Sequence, residues 1–140
     1  MLNAGLTLLT KYTVRRIRPF NYDPETSVEK KMSTNAQASF FSGHTSMTAT
    51  NSFFAAKVFS DYYPDSQCKS LVWAIAATLP AITGYLRVRG GRHYPTDVIT
   101  GYAVGAAVGY LIPHWHRNKA NFKNVNLSMG VNSAYVCLKF

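Results

Sequence analysis

Two stretches of this chain, Ser70 to Leu86 and the run leading to Ile112, each pass about 16 residues without a charge, roughly 24 Å of helix at 1.5 Å per residue. A bilayer core is about 30 Å thick, so these are borderline membrane spans or tightly packed core helices. Two long apolar helices within 140 residues leave room for one helical domain and no second core. Apolar residues make up 47% of the chain and the mean hydropathy is -0.07, between a soluble globule and a polytopic membrane protein.

Helical patterning predicts four helices and an all-α, antiparallel helical bundle. The first runs from Leu2 to Ile17 and ends in a basic turn before Pro19. Its apolar opening lacks the basic start and small-residue cleavage site of a signal peptide. Pro19 to Phe41 is a polar loop rich in turn formers, and a loop that long in a compact domain is usually functional. The second helix spans Thr45 to Ser60, with Ser42 or Thr45 as its cap. The third spans Ser70 to Leu86 with a kink at Pro80, and the fourth runs from Pro95 to Ile112 with proline at its first position. Gly101, Ala103, Gly105, Ala106, Ala107 and Gly109 let that last helix approach its neighbours closely, inside a membrane or out of it. Beyond it, His114-Trp115-His116-Arg117-Asn118-Lys119 has the aromatic and basic composition of a span's cytoplasmic exit. Residues 1–119 form the helical domain, and 120–140 are a C-terminal tail in which Val125 to Phe140 alternates enough for one terminal strand.

The formal charge of +9 admits nucleic acid, an anionic membrane surface or an anionic substrate. Its distribution favours a local anion site, because Lys11 to Arg18, Lys30 with Lys31, and Arg87 to Arg92 hold much of it. Nucleic acid fits poorly, since no aromatic strand platform accompanies the charge. Cys68 and Cys137 are too few and too far apart for a disulfide framework or a zinc site. If the helices run up and down, the end of the first, the start of the second, the end of the third and the start of the fourth share one end of the bundle. Lys11 to Pro19, Ser42-Gly43-His44, Arg87, and His93 to Asp97 occupy those places.

These residues form three ordered motifs: Lys11 followed after six residues by Arg18-Pro19, then Ser42-Gly43-His44, then Arg87 followed after five residues by His93 and after three more by Asp97. In this the chain resembles the type-2 phosphatidic acid phosphatase superfamily, which includes lipid phosphatases, bacterial non-specific acid phosphatases and vanadium haloperoxidases. The resemblance covers Lys11 to Ile112. Phe41 stands where the family usually has Pro, and Leu86 where it usually has Ser, which removes a hydroxyl that would donate to phosphate. Membrane members carry helices upstream of the first motif, and this chain, with ten residues there, is expected to lack them.

The resemblance implies a phosphatase in which His93 is the nucleophile and His44 the general acid that protonates the leaving oxygen and later activates water. Lys11, Arg18, Ser42, Gly43 and Arg87 would hold the phosphate. The chemistry suits these residue types: phosphoryl transfer is catalysed by positioning and by cations on the equatorial oxygens. Arginines offer paired donors, lysine a compact charge, and a helix start with glycine free N–H groups. Asp97, one turn past His93, is expected to accept from the second ring nitrogen and so to aim the imidazole. Ser42 equally suits a plain helix cap, and Arg15, Arg16 and Arg89 read as solvated or snorkelling cations. His114 and His116 read as interfacial residues, and Gly90-Gly91 as a turn.

No cofactor or metal is expected, and vanadate should inhibit. The resemblance points to monoesters or pyrophosphates of lipids such as phosphatidate, phosphatidylglycerophosphate or polyprenyl pyrophosphate. The partners are then a phosphorylated lipid or small-molecule phosphate and a membrane, with no nucleic acid and no obligate protein. The expected location is a bacterial inner membrane with the site facing the periplasm or exterior. A soluble periplasmic acid phosphatase and a vanadate-dependent haloperoxidase are the enzyme alternatives. A basic module that binds anionic lipid is the non-enzymatic one.

Overall fold

The computed structural model describes residues 2–117 and the segments 125–130 and 133–138. Gly101, Gly105 and Gly109 recur every fourth residue on α5 (Pro95–Trp115), and each faces a backbone carbonyl of α3 (Gly43–Tyr62) or of Ser42, which precedes it. A Cβ at these positions would stand 2.7 Å from Ser42 O, 2.2 Å from Ser46 O and 2.4 Å from Thr50 O. No side chain tolerates such distances, so glycine lets the two backbones touch, and Thr50 Oγ1 donates across to Gly105 O at 3.1 Å. This contact brings the start of α5 against the start of α3. It also leaves Ala103 and Ala107 on the outer face of α5.

On another side of α3 lies α4 (Lys69–Arg89), which runs through Pro80 without ending. A proline inside a helix frees carbonyls one turn back. Here Ser52 Oγ donates to Ala76 O at 2.9 Å and Tyr102 Oη to Ala77 O at 3.0 Å, so the neighbouring helices satisfy them. The first helix, α1 (Leu2–Val14), docks on α3 through Asn3, which donates to Thr50 Oγ1 at 2.9 Å and accepts from Ser46 Oγ at 2.8 Å.

The buried interior is made of small and polar residues, among them Ala49, Ala56, Ala76, Ser42, Thr45 and Ser46. Leu71, Ile75, Leu79, Ile82 and Leu86 of α4 point outward, as do Ile99 and Leu111 of α5. A soluble bundle buries its large aliphatic residues, and α4 and α5 instead carry theirs on the outside, although Phe20 and Phe41 are buried and the charged loop residues exposed. Among the described residues, α4 is the one helix long and apolar enough to cross a membrane, with a mean hydropathy of 1.4 over its most apolar window. The run ending at Ile112 was the other expected borderline span, and α5 does not meet that measure.

Several boundaries differ from expectation. α1 stops at Val14, short of Ile17, where Arg15 turns to a φ of 45° and Arg18 is extended, as the residue before Pro19 must be. The polar loop holds α2 (Val28–Met32) and two 3-10 turns, Pro19–Tyr22 and Thr34–Gln37. The tail forms two strands rather than one, β1 (Val125–Gly130) and β2 (Ser133–Leu138), paired antiparallel from Val125 opposite Leu138 to Gly130 opposite Ser133. A lone strand would leave its backbone ladder unpaired, whereas a hairpin supplies both partners locally. Asn118, Lys119 and Phe140 lie outside the described residues.

Candidate active site

Pro95 starts α5, and Asp97 in its first turn points its carboxylate back over the helix start, accepting the Tyr94 N–H at 3.0 Å. Asp97 is fully buried. A buried carboxylate needs a cation and further donors. Arg16 Nη1 approaches Oδ1 at 2.6 Å, and Ser39 Oγ donates to Oδ2 at 2.5 Å. The Arg16 guanidinium also donates to Thr96 Oγ1 at 2.8 Å and lies over the Tyr94 ring, 4.1 Å from its centre. Arg16 therefore joins the site, where the sequence reading made it a solvated cation. Its segment is fixed by main-chain bonds, since Arg18 N donates to Ala36 O at 2.8 Å and Ser39 N to Arg16 O at 3.0 Å.

His93 is buried beside this network, and its Nδ1 meets Ser39 O at 2.7 Å. A carbonyl only accepts, so Nδ1 carries the proton and Nε2 keeps its lone pair. The expected partner, Asp97, stands 3.8 Å from Nδ1, too far for a hydrogen bond. Asp97 thus acts on the imidazole by its charge and, for orientation, at one remove: it holds Ser39, and the Ser39 main chain holds the ring. The reason is competition, because Arg16, Ser39 Oγ and Tyr94 N–H already occupy the carboxylate. Burial pushes the His93 imidazole down to about 4, helped by the Arg18 charge, while the Ser39 carbonyl and Asp97 pull the other way.

The cations converge as the motif order predicts. Lys11 sits in the last turn of α1, its Nζ 3.7 Å from where a Gly43 Cβ would stand. Arg18 is buried, with Nη2 donating to Ala38 O at 3.3 Å and Nε unpartnered. Arg87 is in the last turn of α4, and Arg92 precedes His93. Burial and the charges of Arg92 and Arg87 lower the Arg18 pKa from its ordinary value, with Asp97 opposing them. His44, in the first turn of α3, is exposed. Its imidazole is also lowered, first by burial of its ring and then by Arg87, Lys11, Arg18 and Arg92.

Ser42 differs from both readings of it. It is fully buried, its Oγ shares a hydrogen bond of 2.9 Å with Thr45 Oγ1, and its N–H donates to Asp97 O at 3.0 Å. It therefore ties α3 to α5, and makes no side-chain cap. No side chain caps the first turn of α3, and Lys11 Nζ lies close to Gly43 in that turn. Sequence reasoning missed Ser39, which acts through a main-chain carbonyl that no motif records, and Arg16 and Arg92, whose only signal was membership of basic clusters. His114 and His116 lie at the other end of α5, with His114 stacked on Tyr110.

A buried imidazole beside cations that no carboxylate pairs among the described residues is an arrangement suited to phosphoryl transfer. The sequence matches the PAP2 superfamily over residues 1–121, and the chain belongs to that superfamily. It is a phosphatase. A search of curated proteins finds no match, and neither does a search of solved structures.

Proposed function

We propose that the chain is a membrane lipid phosphatase working through a phosphohistidine on His93. The observation that carries this reading is the 2.7 Å bond from Nδ1 to Ser39 O, which leaves Nε2 as the free nucleophile of a buried, neutral ring. Lys11, Arg18, Arg87 and the first-turn N–H groups of α3 hold the equatorial oxygens. His44 protonates the leaving oxygen and then takes a proton from the water that cleaves the phosphohistidine. The outward-facing aliphatic residues of α4 and α5 support a lipid setting. The location in this reading is a bacterial inner membrane with the site facing the periplasm or exterior, and the substrates are phosphatidate, phosphatidylglycerophosphate or polyprenyl pyrophosphate.

Rapid quenching with a labelled aryl phosphate tests the reading. The wild type should give an acid-labile phosphoenzyme, and His93→Ala none. His44→Ala should still label with this activated leaving group but turn over slowly, because it cannot activate water. Labelling of His93→Ala but not of His44→Ala would exchange the two roles and overturn the assignment. No resident metal is invoked, so turnover should survive excess EDTA and be blocked by vanadate; activity lost on chelation and restored by a divalent ion would sink the mechanism. A second reading is a soluble acid phosphatase, since among the described residues α4 is the one helix with the composition of a span; stable solubility of the purified chain without detergent would select it.

A further inference from the structure

The segment between Pro19 and Phe41 carries an apolar surface that the phosphoryl-transfer chemistry does not use. Its α-helical stretch, α2, is little more than one turn, and at about 100° per residue Val28 and Met32 fall on one side and Lys30 on the other. Lys30 faces the protein, with its Nζ 5.0 Å from the centre of the buried Phe20 ring. Val28 and Met32 therefore face away from the protein, and they are 71% and 82% exposed. Lys31 flanks them. Main-chain bonds fasten the segment to the site end of the bundle: Phe20 N donates to Gly91 O at 3.1 Å, just past the end of α4, and Arg18 N donates to Ala36 O at 2.8 Å.

The rest of the surface shows what covers this face. The outward aliphatic row of α4 runs from Leu71 to Leu86, bounded by Lys69 at one end and by Arg87 and Arg89 at the other. Exposed rings stand beyond its middle on both sides, with Tyr12, Tyr22 and Tyr85 toward the site and Tyr63 and Trp115 at the opposite end. An aliphatic middle between aromatic and cationic ends is the pattern of a surface that meets lipid tails in the centre and headgroups at each side. Tyr22 belongs to the same segment as α2, so α2 lies at the level of the site-side rings. An amphipathic turn at that level, apolar outward and flanked by a lysine long enough to reach phosphate, suits the headgroup layer.

We infer that α2 is an interfacial anchor: Val28 and Met32 insert into the headgroup layer of the leaflet on the site's side, and Lys31 meets lipid phosphates there. The inference rests on the membrane reading of the chain. Anchoring α2 fixes the 34–38 segment that follows it, which walls a cavity of about 450 Å³ beside Lys11. The facing wall includes Leu8 and Tyr12, both exposed. A lipid of the same leaflet then meets Lys11 through this cavity, whereas a soluble substrate needs no such alignment.

The test uses the full chain reconstituted in vesicles of phosphatidylcholine and phosphatidylglycerol. A nitroxide is attached at one position at a time, through Val28→Cys, Glu29→Cys or Met32→Cys in a Cys68→Ser, Cys137→Ser background. Its collisions with oxygen and with a water-soluble nickel chelate are then compared. Positions 28 and 32 should favour oxygen, and position 29, about a quarter turn away, the chelate. In the unlabelled chain, Val28→Ser with Met32→Ser should raise KM for dodecyl phosphate in the vesicles by about 10-fold with kcat held, since two apolar side chains lose their lipid burial. The same variant should leave kcat/KM for a soluble aryl phosphate unchanged. Chelate access at 28 and 32 equal to that at 29, in a chain that is membrane-bound and active, overturns the anchor and leaves the lipid-phosphatase reading intact. Shielding of 28 and 32 from both reagents means that protein covers the face, a second copy or another segment, and overturns it as well. Equal losses on dodecyl and aryl phosphate overturn the link between anchor and lipid access. A chain that stays in the supernatant of the vesicles overturns the membrane reading and the anchor together.

Discussion

The pH dependence of kcat/KM follows from the placement of the two histidines. In the free enzyme His93 titrates near 4, against an ordinary value of 6.5. At pH 5.5 about 97% of the enzyme should hold a neutral nucleophile, where an unperturbed histidine would give about one-tenth. His44 must be protonated to act as acid, and burial with the charges of Arg87 and Lys11 lowers it from 6.5, so the alkaline limb also lies on the acid side of neutrality. The profile should be a bell confined to acid pH. Bound phosphate offsets the cations, so both limbs of kcat should lie at higher pH than those of kcat/KM. Stability moves the opposite way. The folded pKa of His93 is depressed, so between 6.5 and 4 the unfolded chain binds more protons. The contribution is complete above pH 6.5 and declines as pH falls toward 4, by up to about 3 kcal/mol. Initial rates with an aryl phosphate from pH 3.5 to 8, paired with thermal midpoints in the same buffers, measure both. His93→Asn should remove this part of the midpoint's pH dependence. An acid limb of kcat/KM near 6.5, or an optimum above neutrality, refutes a buried neutral nucleophile.

Arg87→Ala and Lys11→Ala should each lower kcat/KM by about 100-fold, against little change for exposed Arg15→Ala; equal mild effects would reduce the cluster to general electrostatics. Arg16→Ala leaves the buried Asp97 carboxylate short of its cation and should cost about 2–3 kcal/mol in denaturant unfolding, less than a fully buried pair because Arg16 is partly exposed. The same variant should lower kcat through the displaced Ser39 carbonyl, with Arg16→Lys recovering part of it; an unchanged kcat would separate Asp97 from His93. Gly105→Ala would put a methyl 2.2 Å from Ser46 O and should destabilise by about 1–3 kcal/mol or more, read as a lower thermal midpoint.

The order of the basic and histidine motifs, and the helical periods between them, were enough to place Lys11, Arg18, His44, Arg87 and His93 at one end of an all-α bundle. Charge-free runs, prolines at helix starts and glycines at every fourth residue are local signals, and each names an element or its end without reference to a partner. What holds those residues was decided by tertiary contact. Ser39 reaches His93 through a carbonyl that every residue type possesses, so no side-chain pattern announces it. Arg16 looked like any surface cation until the chain, turning at Arg15, brought it against a carboxylate 81 positions away. Asp97 stands at the right spacing to touch His93, yet three other donors compete for the same two oxygens and win. Spacing fixes which groups can meet; which of them bond depends on the geometry and number of competing partners, and these exist only once the chain has folded.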